Sequence, residues 1–380
     1  MQIVRARLFA LEIPFNEAFT HSTKARTASD ALVLRVEADN GVVGYGEGLP
    51  RPYVTGETVA FTLDHLQHTL WPKIKHHTFK PLRALDDLAQ YDLALGEVEI
   101  SAGVVPNASR AAAEVALMDC GLRAQNKSLG EFLSPLRKEV EYAGVVPANA
   151  PEKAKSHAKK MSMLGLKHLK VKIAVGDDLA RIQSVVDVVG SKTPIRLDAN
   201  AAWTLEEALQ KIPALEQFTI EAIEAPIKRT TVGDLRRYKD ATSMPISVDE
   251  YLVTLDDAED LIAQNACDIF NLRVSKLGGI WRTWHIGQMA HKAGLKLQFG
   301  AQVGETAILS AAGRHLIAAL PEVLFAEGSA GALLLQEDVS EESVAFGYEG
   351  KAPLLTGPGL GVTVKDEVLE RFATRVVELE

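Results

Sequence analysis

Four β-rich runs in the middle of the chain decide its fold: HLKVKI (168–173), PIRLDA (194–199), IEAIEA (220–225) and PISVD (245–249). Similar runs flank them, namely VEYAGVV (140–146), IFNLRVS (269–275), LKLQFG (295–300) and VLFAEG (323–328). Helix-like stretches separate the runs, and Lys172, Asp198 and Glu224 follow one another at intervals of 26 residues. Such a period corresponds to one strand and one helix. Eight units of this kind predict a closed (β/α)₈ barrel, with an open doubly wound sheet as the alternative.

The segments on either side of these repeats have a different pattern. Residues 1–60 are β-rich and contain the hairpin turn Asp39-Asn40-Gly41, whereas residues 57–137 predict helices. We therefore expect an α+β domain before the barrel, and the tail, residues 346–380, is expected to pack back on it. The glycines of GYGEG (44–48) lack the strand–loop–helix context of a nucleotide-binding loop.

Composition argues against several classes of function. The 380 residues carry a net charge of −9, so there is no basic surplus that would favour nucleic acid. No apolar run reaches the roughly 18 residues of a membrane helix, and Arg5, Arg7 and Glu12 interrupt any signal peptide. The cysteines, Cys120 and Cys267, are too few for a disulfide framework. These features predict a cytoplasmic protein that acts on neither nucleic acid nor membrane.

Three of the predicted strands end in a carboxylate. Asp198 ends PIRLD, Glu224 ends IEAIE and Asp249 ends PISVD. Because the functional residues of barrels lie at the carboxyl ends of the strands, we expect these acids to meet at one mouth. Carboxylates that lie close together repel one another, and a hard cation with oxygen ligands relieves that repulsion. The pattern predicts a Mg²⁺ site, and the alternative is that the acids face solvent or cap the following helices.

The run HLKVKI adds two lysines to the same mouth. Side chains alternate along a strand, so Lys170 and Lys172 point to one side, and Lys172 is in register with the acids. A neighbouring ammonium lowers the pKa of a lysine, which suits a general base. The alternative is an edge strand with solvated lysines.

The sixth and eighth strands supply further candidates. Alternation along IFNLRVS places Asn271, Arg273 and Ser275 on one face, whereas Lys276 falls on the opposite face or in the following loop. Glu327, at the end of the eighth strand, is expected either to contact the substrate or to pair with Arg273.

These motifs resemble the enolase superfamily, in particular its muconate-lactonizing-enzyme subgroup (the mandelate racemase/muconate lactonizing enzyme family). The resemblance rests on LKVKI, LDAN, IEAP, SVDE and SKLGG in this order, and on GYGEGLPRPYVTGET and AAAEVALMDCGLRAQNKSLGEFL in the first third. It covers nearly the whole chain. It implies a (β/α)₇β TIM-type barrel, residues 131–345, and an N-terminal α+β capping domain, residues 1–130, which the tail 346–380 completes.

The resemblance also implies a chemistry. It implies that Asp198, Glu224 and Asp249 bind Mg²⁺, that Lys172 is the acid/base and that Lys170 is its electrostatic neighbour. The reaction shared by the superfamily removes the proton α to the carboxylate of a small-molecule substrate, and the metal holds the resulting enediolate. The predicted enzyme is therefore an isomerase, either a cycloisomerase or an amino-acid or dipeptide epimerase. A homo-oligomer is a further implication.

Arg273 departs from the pattern of this subgroup. It occupies the first position of a K-x-x-K-x-G-G motif, where the subgroup usually carries a second catalytic lysine. Because arginine stays protonated, it acts as a fixed cation and not as a base. This favours chemistry with one base, so a lyase that dehydrates a hydroxy acid is the alternative to the isomerase. Lys276 is a possible substitute base, although strand alternation argues against it, and a barrel without catalytic activity is a third hypothesis.

The remaining candidates surround this centre. We expect His21, Tyr53 and Thr55 to belong to a lid that contacts the substrate. Asn200 is expected to support the metal site, and Glu250 is expected to partner a lysine. The sequence does not specify the substrate itself.

Overall fold

The chain begins with antiparallel strands, as its β-rich sequence predicts. The computed structural model describes residues 1–21 and 24–380, and it describes their side chains except those of residues 17–21, 24, 25 and 332. The first strands are β1 (Ile3–Leu11), β2 (Ile13–His21), β3 (Lys24–Ser29), β4 (Leu32–Ala38) and β5 (Val43–Gly48). The strands β1, β4 and β5 share one antiparallel sheet, whereas β2 and β3 pair separately. The predicted turn at Gly41 connects β4 to β5.

Helices follow these strands. They are α1 (Val59–His65), a π-helical turn (Leu66–Leu70), α2 (Trp71–Ile74), a 3₁₀ turn (Leu85–Leu88), α3 (Ala89–Ala94), α4 (Asn107–Ala124) and α5 (Leu129–Leu133). Helix α4 packs directly on β5, because a Cβ atom at Gly46 would lie 2.1 Å from Ala112 O. The glycine spacing of GYGEG therefore serves the contact between a helix and a sheet.

The predicted run 140–146 is not one strand but two. Strand β6 (Glu139–Glu141) pairs antiparallel with β15 (Lys351–Pro353), whereas β7 (Gly144–Val146) pairs parallel with the next barrel strand. Backbone hydrogen bonds divide the run at Tyr142 and Ala143, since Tyr142 N donates to Gly350 O and Ala143 N donates to Ala326 O. The barrel therefore begins at the second half of the run.

Within the described chain, eight parallel strands form one sheet in sequential order. They are β7, β8 (Leu169–Lys172), β9 (Ile195–Asp198), β10 (Ile220–Glu224), β11 (Ile246–Val248), β12 (Ile269–Leu272), β13 (Lys296–Phe299) and β14 (Val323–Ala326). The bond from Ala143 N to Ala326 O, 2.7 Å long, joins the beginning of the sheet to its end. Sequential order and this closing bond identify the barrel and exclude the doubly wound alternative.

Helices on the outside follow the strands β7 to β13 one after another. They are α6 (Pro151–Met163), α7 (Asp178–Val189), α8 (Leu205–Leu215), α9 (Val232–Ala241), α10 (Leu255–Ala263), the single turn α11 (Val274–Leu277) with α12 (Ile280–Lys292), and α13 (Ala307–Ala319). After β14 comes a short helix, α14 (Gly331–Leu334). The barrel is therefore of the (β/α)₇β type, as the resemblance implies.

The tail returns to the first sheet. A 3₁₀ turn (Tyr348–Gly350) precedes β15, and α15 (Asp366–Phe372) leads into β16 (Ala373–Leu379), which pairs antiparallel with β1. The boundaries 1–130, 131–345 and 346–380 stay a prediction. Across the described ranges, none of the helices combines the length and the apolar character needed to cross a bilayer.

Candidate active site

Carboxylates from three neighbouring strands lie at one mouth of the barrel. Parallel pairing aligns Lys172 with Asp198 and Asp198 with Glu224, and Asp249 follows directly after β11. Each of the three acids has a relative exposure of 1%. The 26-residue interval of the sequence therefore places Lys172, Asp198 and Glu224 in one layer, and Asp249 lies two residues beyond Ser247, the partner of Glu224.

Two cations lie between these three carboxylates. Lys170 Nζ lies 3.4 Å from Asp198 Oδ2 and 3.0 Å from Glu224 Oε2. Arg273 Nη2 contacts Asp249 Oδ2 and lies 3.6 Å from Glu224 Oε1. Each pair of adjacent acids is thus bridged by a cationic side chain. As the described side chains stand, no three His, Cys, Asp or Glu residues are arranged to hold a metal ion.

The cations determine which of the acids stay ionised. Burial alone would raise the pKa of Asp198, but Lys172 and Lys170 outweigh it and hold the pKa below its usual value. Burial would likewise raise the pKa of Asp249, and Arg273 and Lys276 reverse this shift. Burial does raise the pKa of Glu224, because the nearby carboxylates oppose the effect of Lys170. The site therefore has one acid that holds its charge less readily than its two neighbours.

Lys170 is part of an ion-pair network inside the barrel. Burial lowers the pKa of this lysine, but Glu224, Glu327 and Asp198 outweigh burial and raise it above its usual value. The expectation that a second ammonium lowers the pKa is therefore wrong for Lys170. Glu327 pairs with Lys170 and, at 2.8 Å, with Arg196 Nη1. The predicted pairing of Glu327 with Arg273 is wrong, because Glu327 faces the barrel interior near Arg196.

Lys172 has fewer anionic partners than Lys170. Its Nζ donates to Asn200 Oδ1 at 2.9 Å and lies 3.4 Å from Asp198 Oδ2. The backbone N–H of Asn200 donates to Asp198 Oδ1 at 2.9 Å, so one residue contacts both the lysine and the acid. Asn200 has a positive φ of 48°, a conformation that asparagine adopts more readily than most residues. This backbone turn directs its side chain to Lys172.

The sixth strand ends earlier than the sequence predicts. Strand β12 stops at Leu272, and the single turn α11 carries the next residues. Strand alternation therefore does not apply to Ser275, whose hydroxyl accepts a hydrogen bond from Leu49 N, away from the carboxylates. It does not apply to Lys276 either, because the helical turn brings Lys276 Nζ to 2.8 Å from Asp249 Oδ1. The argument from alternation against Lys276 is wrong.

Lys276 is fully buried and held by three acceptors. Its Nζ also donates to the backbone carbonyls of Asp249 and Asn271, at 2.9 and 2.7 Å. Burial and the nearby Arg273 lower the pKa of Lys276, although Asp249 opposes them. All three N–H groups of the ammonium are occupied by these bonds. The contacts are those of a structural cation that fixes the loop at Asp249.

Arg273 lies in space that a glycine leaves open. A Cβ atom at Gly300 would lie 2.9 Å from Arg273 Nε and 2.5 Å from Asn271 Oδ1. Asn271 Nδ2 donates to Glu224 Oε1 at 2.8 Å, while Asn271 Oδ1 and Arg273 Nε have no hydrogen-bond partner among the described residues. Burial would lower the pKa of Arg273, but Asp249 and Glu224 raise it above its usual value. Arg273 is therefore a permanent cation at this position.

The remaining predicted residues lie around this centre. Glu250 is buried, and burial together with Asp249 and Asp198 raises its pKa to about 8. Among the described residues it forms no ion pair with a lysine and its Oε2 has no hydrogen-bond partner, but its charge opposes the lowering of the Lys276 pKa, so its role as a partner of a lysine stays a prediction. Tyr53 is 47% exposed and lies within electrostatic range of Arg273. The side chain of His21 lies outside the described side chains.

Thr55 is directed away from the carboxylates. Its hydroxyl donates to Glu57 Oε2 at 2.8 Å, and Glu57 accepts hydrogen bonds from the backbone N–H groups of Ala108 and Ser109. These N–H groups belong to the first turn of α4. Thr55 therefore helps to attach its loop to that helix.

Sequence reasoning missed two residues of the interior. Arg196 stacks on the Phe325 ring, with Cζ 4.2 Å from the ring centroid, and reaches Glu327. Gln298 Nε2 donates to Glu224 Oε2 at 2.7 Å. Strand alternation could have found both, because Arg196 shares a face with Asp198 and Gln298 shares a face with residue 300.

Known proteins resemble this chain over nearly its full length. The L-Ala-D/L-Glu epimerase of Bacillus subtilis (strain 168) is 28% identical over 95% of this chain and 97% of its own length. Muconate cycloisomerase 1 of Rhodococcus opacus is 27% identical over 98% of each chain. The crystal structure of a dipeptide epimerase from Enterococcus faecalis V583, complexed with Mg and the dipeptide L-Leu-L-Tyr, has a TM-score of 0.84 and 27% identity. It covers 96% of this chain and 100% of that one.

A family assignment follows from the barrel segment. Residues 153–368 match the family described as enolase C-terminal domain-like. This segment contains the three strand-end acids, both lysines of β8 and Arg273. Since the match spans more than half of the sequence, the chain belongs to the enolase C-terminal domain-like family of the enolase superfamily.

Proposed function

We propose that this chain is a Mg²⁺-dependent isomerase that moves the proton on the carbon next to a substrate carboxylate. The relatives support this proposal, because they are named epimerase and cycloisomerase and align with nearly all of the chain. The dehydratase alternative is not favoured by these names. The single observation that carries the proposal is the ammonium of Lys172, which is aligned with the buried carboxylate of Asp198 at the mouth where Glu224 and Asp249 are also buried.

The chemistry of the donor set fits Mg²⁺. Asp198, Glu224 and Asp249 offer carboxylate oxygens, which hard divalent cations prefer. These three residues would hold the ion, and Lys170 and Arg273 balance their charge in its absence. The ion would supply positive charge to the substrate carboxylate and so make its α-proton more acidic. The structure of the dipeptide epimerase in complex with Mg supports this part by family relationship.

Lys172 is the proposed acid/base. Its ammonium has an uncharged acceptor in Asn200 and a longer contact to Asp198, so fewer anions hold its proton than hold that of Lys170. A proton donor or acceptor of this kind must reach the α-carbon from one face of the substrate. Lys170 is proposed as its electrostatic neighbour, because its charge is fixed by three carboxylates.

Arg273 limits the reaction to a single base. A two-base epimerisation needs a group on each face that can give up and accept a proton, and a guanidinium does not release its proton at neutral pH. Lys276 has all three of its N–H groups bonded to Asp249 and Asn271, so it does not replace a base on that face. Cycloisomerisation needs one proton donor, and we therefore place it before epimerisation.

Hydrogen exchange in D₂O tests the proposal. The protein with Mg²⁺ is incubated with dipeptides, N-acyl amino acids, proline derivatives, acid sugars and unsaturated dicarboxylic acids, and products are read by mass spectrometry and NMR. We expect one deuteron at the α-carbon of one enantiomer, or in a cyclised isomer of a diacid. We expect Lys172→Ala to abolish the exchange and Lys167→Ala, which removes an exposed lysine paired with Glu141, to retain it.

Two outcomes would contradict the proposal. Loss of water from a hydroxy acid would establish the lyase instead. Exchange that survives both EDTA and Lys172→Ala would exclude the proposed base and the proposed metal together.

Four finer assignments belong to the same proposal. Tyr53 lies within electrostatic range of Arg273, and we keep it, with His21, as a lid residue, whereas Thr55 holds the same loop to α4. The buried thiols Cys120 and Cys267 form no disulfide and are consistent with a reducing cytoplasm. We also expect a small-molecule carboxylate as the substrate and a homo-oligomeric assembly. Light scattering coupled to gel filtration measures the assembly.

A further inference from the structure

Each carboxylate oxygen of Asp249 contacts a cationic side chain. Lys276 Nζ donates to Oδ1, and Arg273 Nη2 contacts Oδ2. The same guanidinium nitrogen lies 3.6 Å from Glu224 Oε1. Arg273 therefore sits between two of the three acids that are proposed to hold Mg²⁺.

Two positive charges do not share one carboxylate pair without a cost. Two positive charges close together repel each other more strongly where the surroundings exclude water than in water itself. The surroundings of Arg273 do so, because its side chain is 12% exposed and Asp249 and Glu224 are 2% exposed. A divalent ion bound at Asp249 Oδ2 would therefore be repelled by the guanidinium that contacts the same oxygen.

The guanidinium group has one donor that the present contacts leave unused. Arg273 Nε has no hydrogen-bond partner among the described residues. Gly300 permits the present position of Nε, because a Cβ atom at residue 300 would lie 2.9 Å from it. Tyr53, on the exposed side of the site, lies within electrostatic range. Arg273 is therefore held through Nη2, while its Nε makes no hydrogen bond.

We propose that Arg273 is an internal counter-cation that competes with Mg²⁺ for Asp249 and Glu224. In the metal-free protein it neutralises the two acids, and on metal loading its guanidinium leaves Asp249. The proposal rests on the metal site of the proposed function. In this proposal Arg273 lowers the affinity of the site for the metal ion. This role is separate from the fact that arginine does not act as a base.

Metal binding without any substrate tests this inference. Binding of Mn²⁺ is followed by electron paramagnetic resonance, and Mg²⁺ is titrated in competition, for the wild type, Arg273→Met and Arg273→Gln. We expect each neutral variant to bind Mn²⁺ about tenfold or more tightly than the wild type, because a contacting charge is removed from a buried site. Two neutral variants are used so that one remains if the other fails to fold.

Arg196→Met is the matched control. Arg196 is also a buried arginine of the barrel interior, but it pairs with Glu327 and contacts none of the proposed metal ligands. We expect this variant to melt at a lower temperature in EDTA while its Mn²⁺ affinity stays within threefold of the wild type. The Arg273 variants should also have a lower melting temperature than the wild type in EDTA. Addition of Mg²⁺ should raise their melting temperature by more than it raises that of the wild type.

The outcomes separate this inference from the proposed function. Equal Mn²⁺ affinity in the wild type and in both Arg273 variants would overturn the competition and leave the proposed metal site standing. Failure of every protein to bind Mn²⁺ would overturn the metal site itself. Tighter binding in Arg196→Met as well would show a general effect of net charge and would also overturn the role of Arg273.

Discussion

Glu47 of the first sheet accepts two hydrogen bonds from Thr306 of the barrel, from the backbone N–H at 2.9 Å and from the hydroxyl at 2.6 Å. A third bond comes from Leu309 N, in the first turn of α13. A buried carboxyl thus caps a barrel helix from a strand that lies some 260 residues earlier in the sequence. Glu114, a buried acid of α4, likewise caps the barrel helix α12, where its carboxyl group accepts hydrogen bonds from Ile280 N and Trp281 N.

The first prediction concerns the pH dependence of stability at this contact. Burial raises the pKa of Glu47 to about 8, although its hydrogen bonds oppose the shift. The folded state then holds a proton that the unfolded state releases above its lower pKa, so stability is lost as the pH rises from about 5 to 8. We expect the unfolding free energy to fall by about 1–3 kcal/mol less between pH 5 and pH 8 in Glu47→Gln than in the wild type. Thermal melts at pH 5 and pH 8 measure it.

A surface carboxylate provides the control for that prediction. Glu370 pairs with Arg7 and its side chain is 55% exposed. Glu370→Gln should leave the slope of stability against pH as in the wild type. An unchanged slope in Glu47→Gln would mean that other buried acids cause the dependence.

The second prediction concerns the close packing of α4 on β5. A Cβ atom at Gly46 would lie 2.1 Å from Ala112 O and 2.3 Å from Ala116 N, and backbone atoms of a helix cannot yield to it. We expect Gly46→Ala to cost about 3 kcal/mol or more of unfolding free energy. Gly233→Ala, in α9, meets its nearest atom at 3.7 Å and should be neutral or stabilising by up to about 1 kcal/mol. Urea unfolding measures the free energy of unfolding of both variants and of the wild type.

The third prediction separates the structural role of Lys276 from a catalytic one. Lys276→Met leaves Asp249 Oδ1 and two backbone carbonyls without their donor. We expect the free energy of unfolding to fall by about 3–5 kcal/mol, which is typical when one partner of a buried ion pair is removed. Denaturant unfolding measures the loss. A stable Lys276→Met protein that had lost exchange activity would instead favour Lys276 as a base.

The fourth prediction concerns the second face of the substrate. Arg273→Lys replaces a permanent cation by a group that can release its proton. We expect the variant to exchange the α-proton of both enantiomers, where the wild type exchanges that of one. NMR of each enantiomer in D₂O decides this, and exchange of both by the wild type would contradict the single-base proposal.

The fifth prediction assigns a positioning role to Asn200. Asn200→Ala removes the acceptor that holds Lys172 Nζ at 2.9 Å. We expect kcat to fall about tenfold or more with a smaller change in KM, because the proton-transferring group is no longer held in place. Asn200→Asp retains an acceptor and should recover part of the rate. Equal losses in both variants would point to the strained backbone at residue 200.

The sequence reasoning succeeded where the structure is regular. The interval of 26 residues places Asp198 and Glu224 in the same layer because each repeat contributes one strand and parallel pairing aligns the last residues of β9 and β10. It was wrong for Ser275 and Lys276, because β12 ends at Leu272 and side chains after that point no longer alternate. The pairing of Glu327 with Arg196 was missed because the barrel closes residues far apart in sequence against each other.

The pairing of the last strand with the first has a consequence for how the molecule is made. Ala6 of β1 lies opposite Leu379 of β16, so one side of β1 stays without its partner until the residues between the two strands have been synthesised. The barrel repeats are complete by then, since β14 ends at Ala326. Strand β1 is therefore enclosed long after it leaves the ribosome, and its unpaired edge is exposed to aggregation during that time.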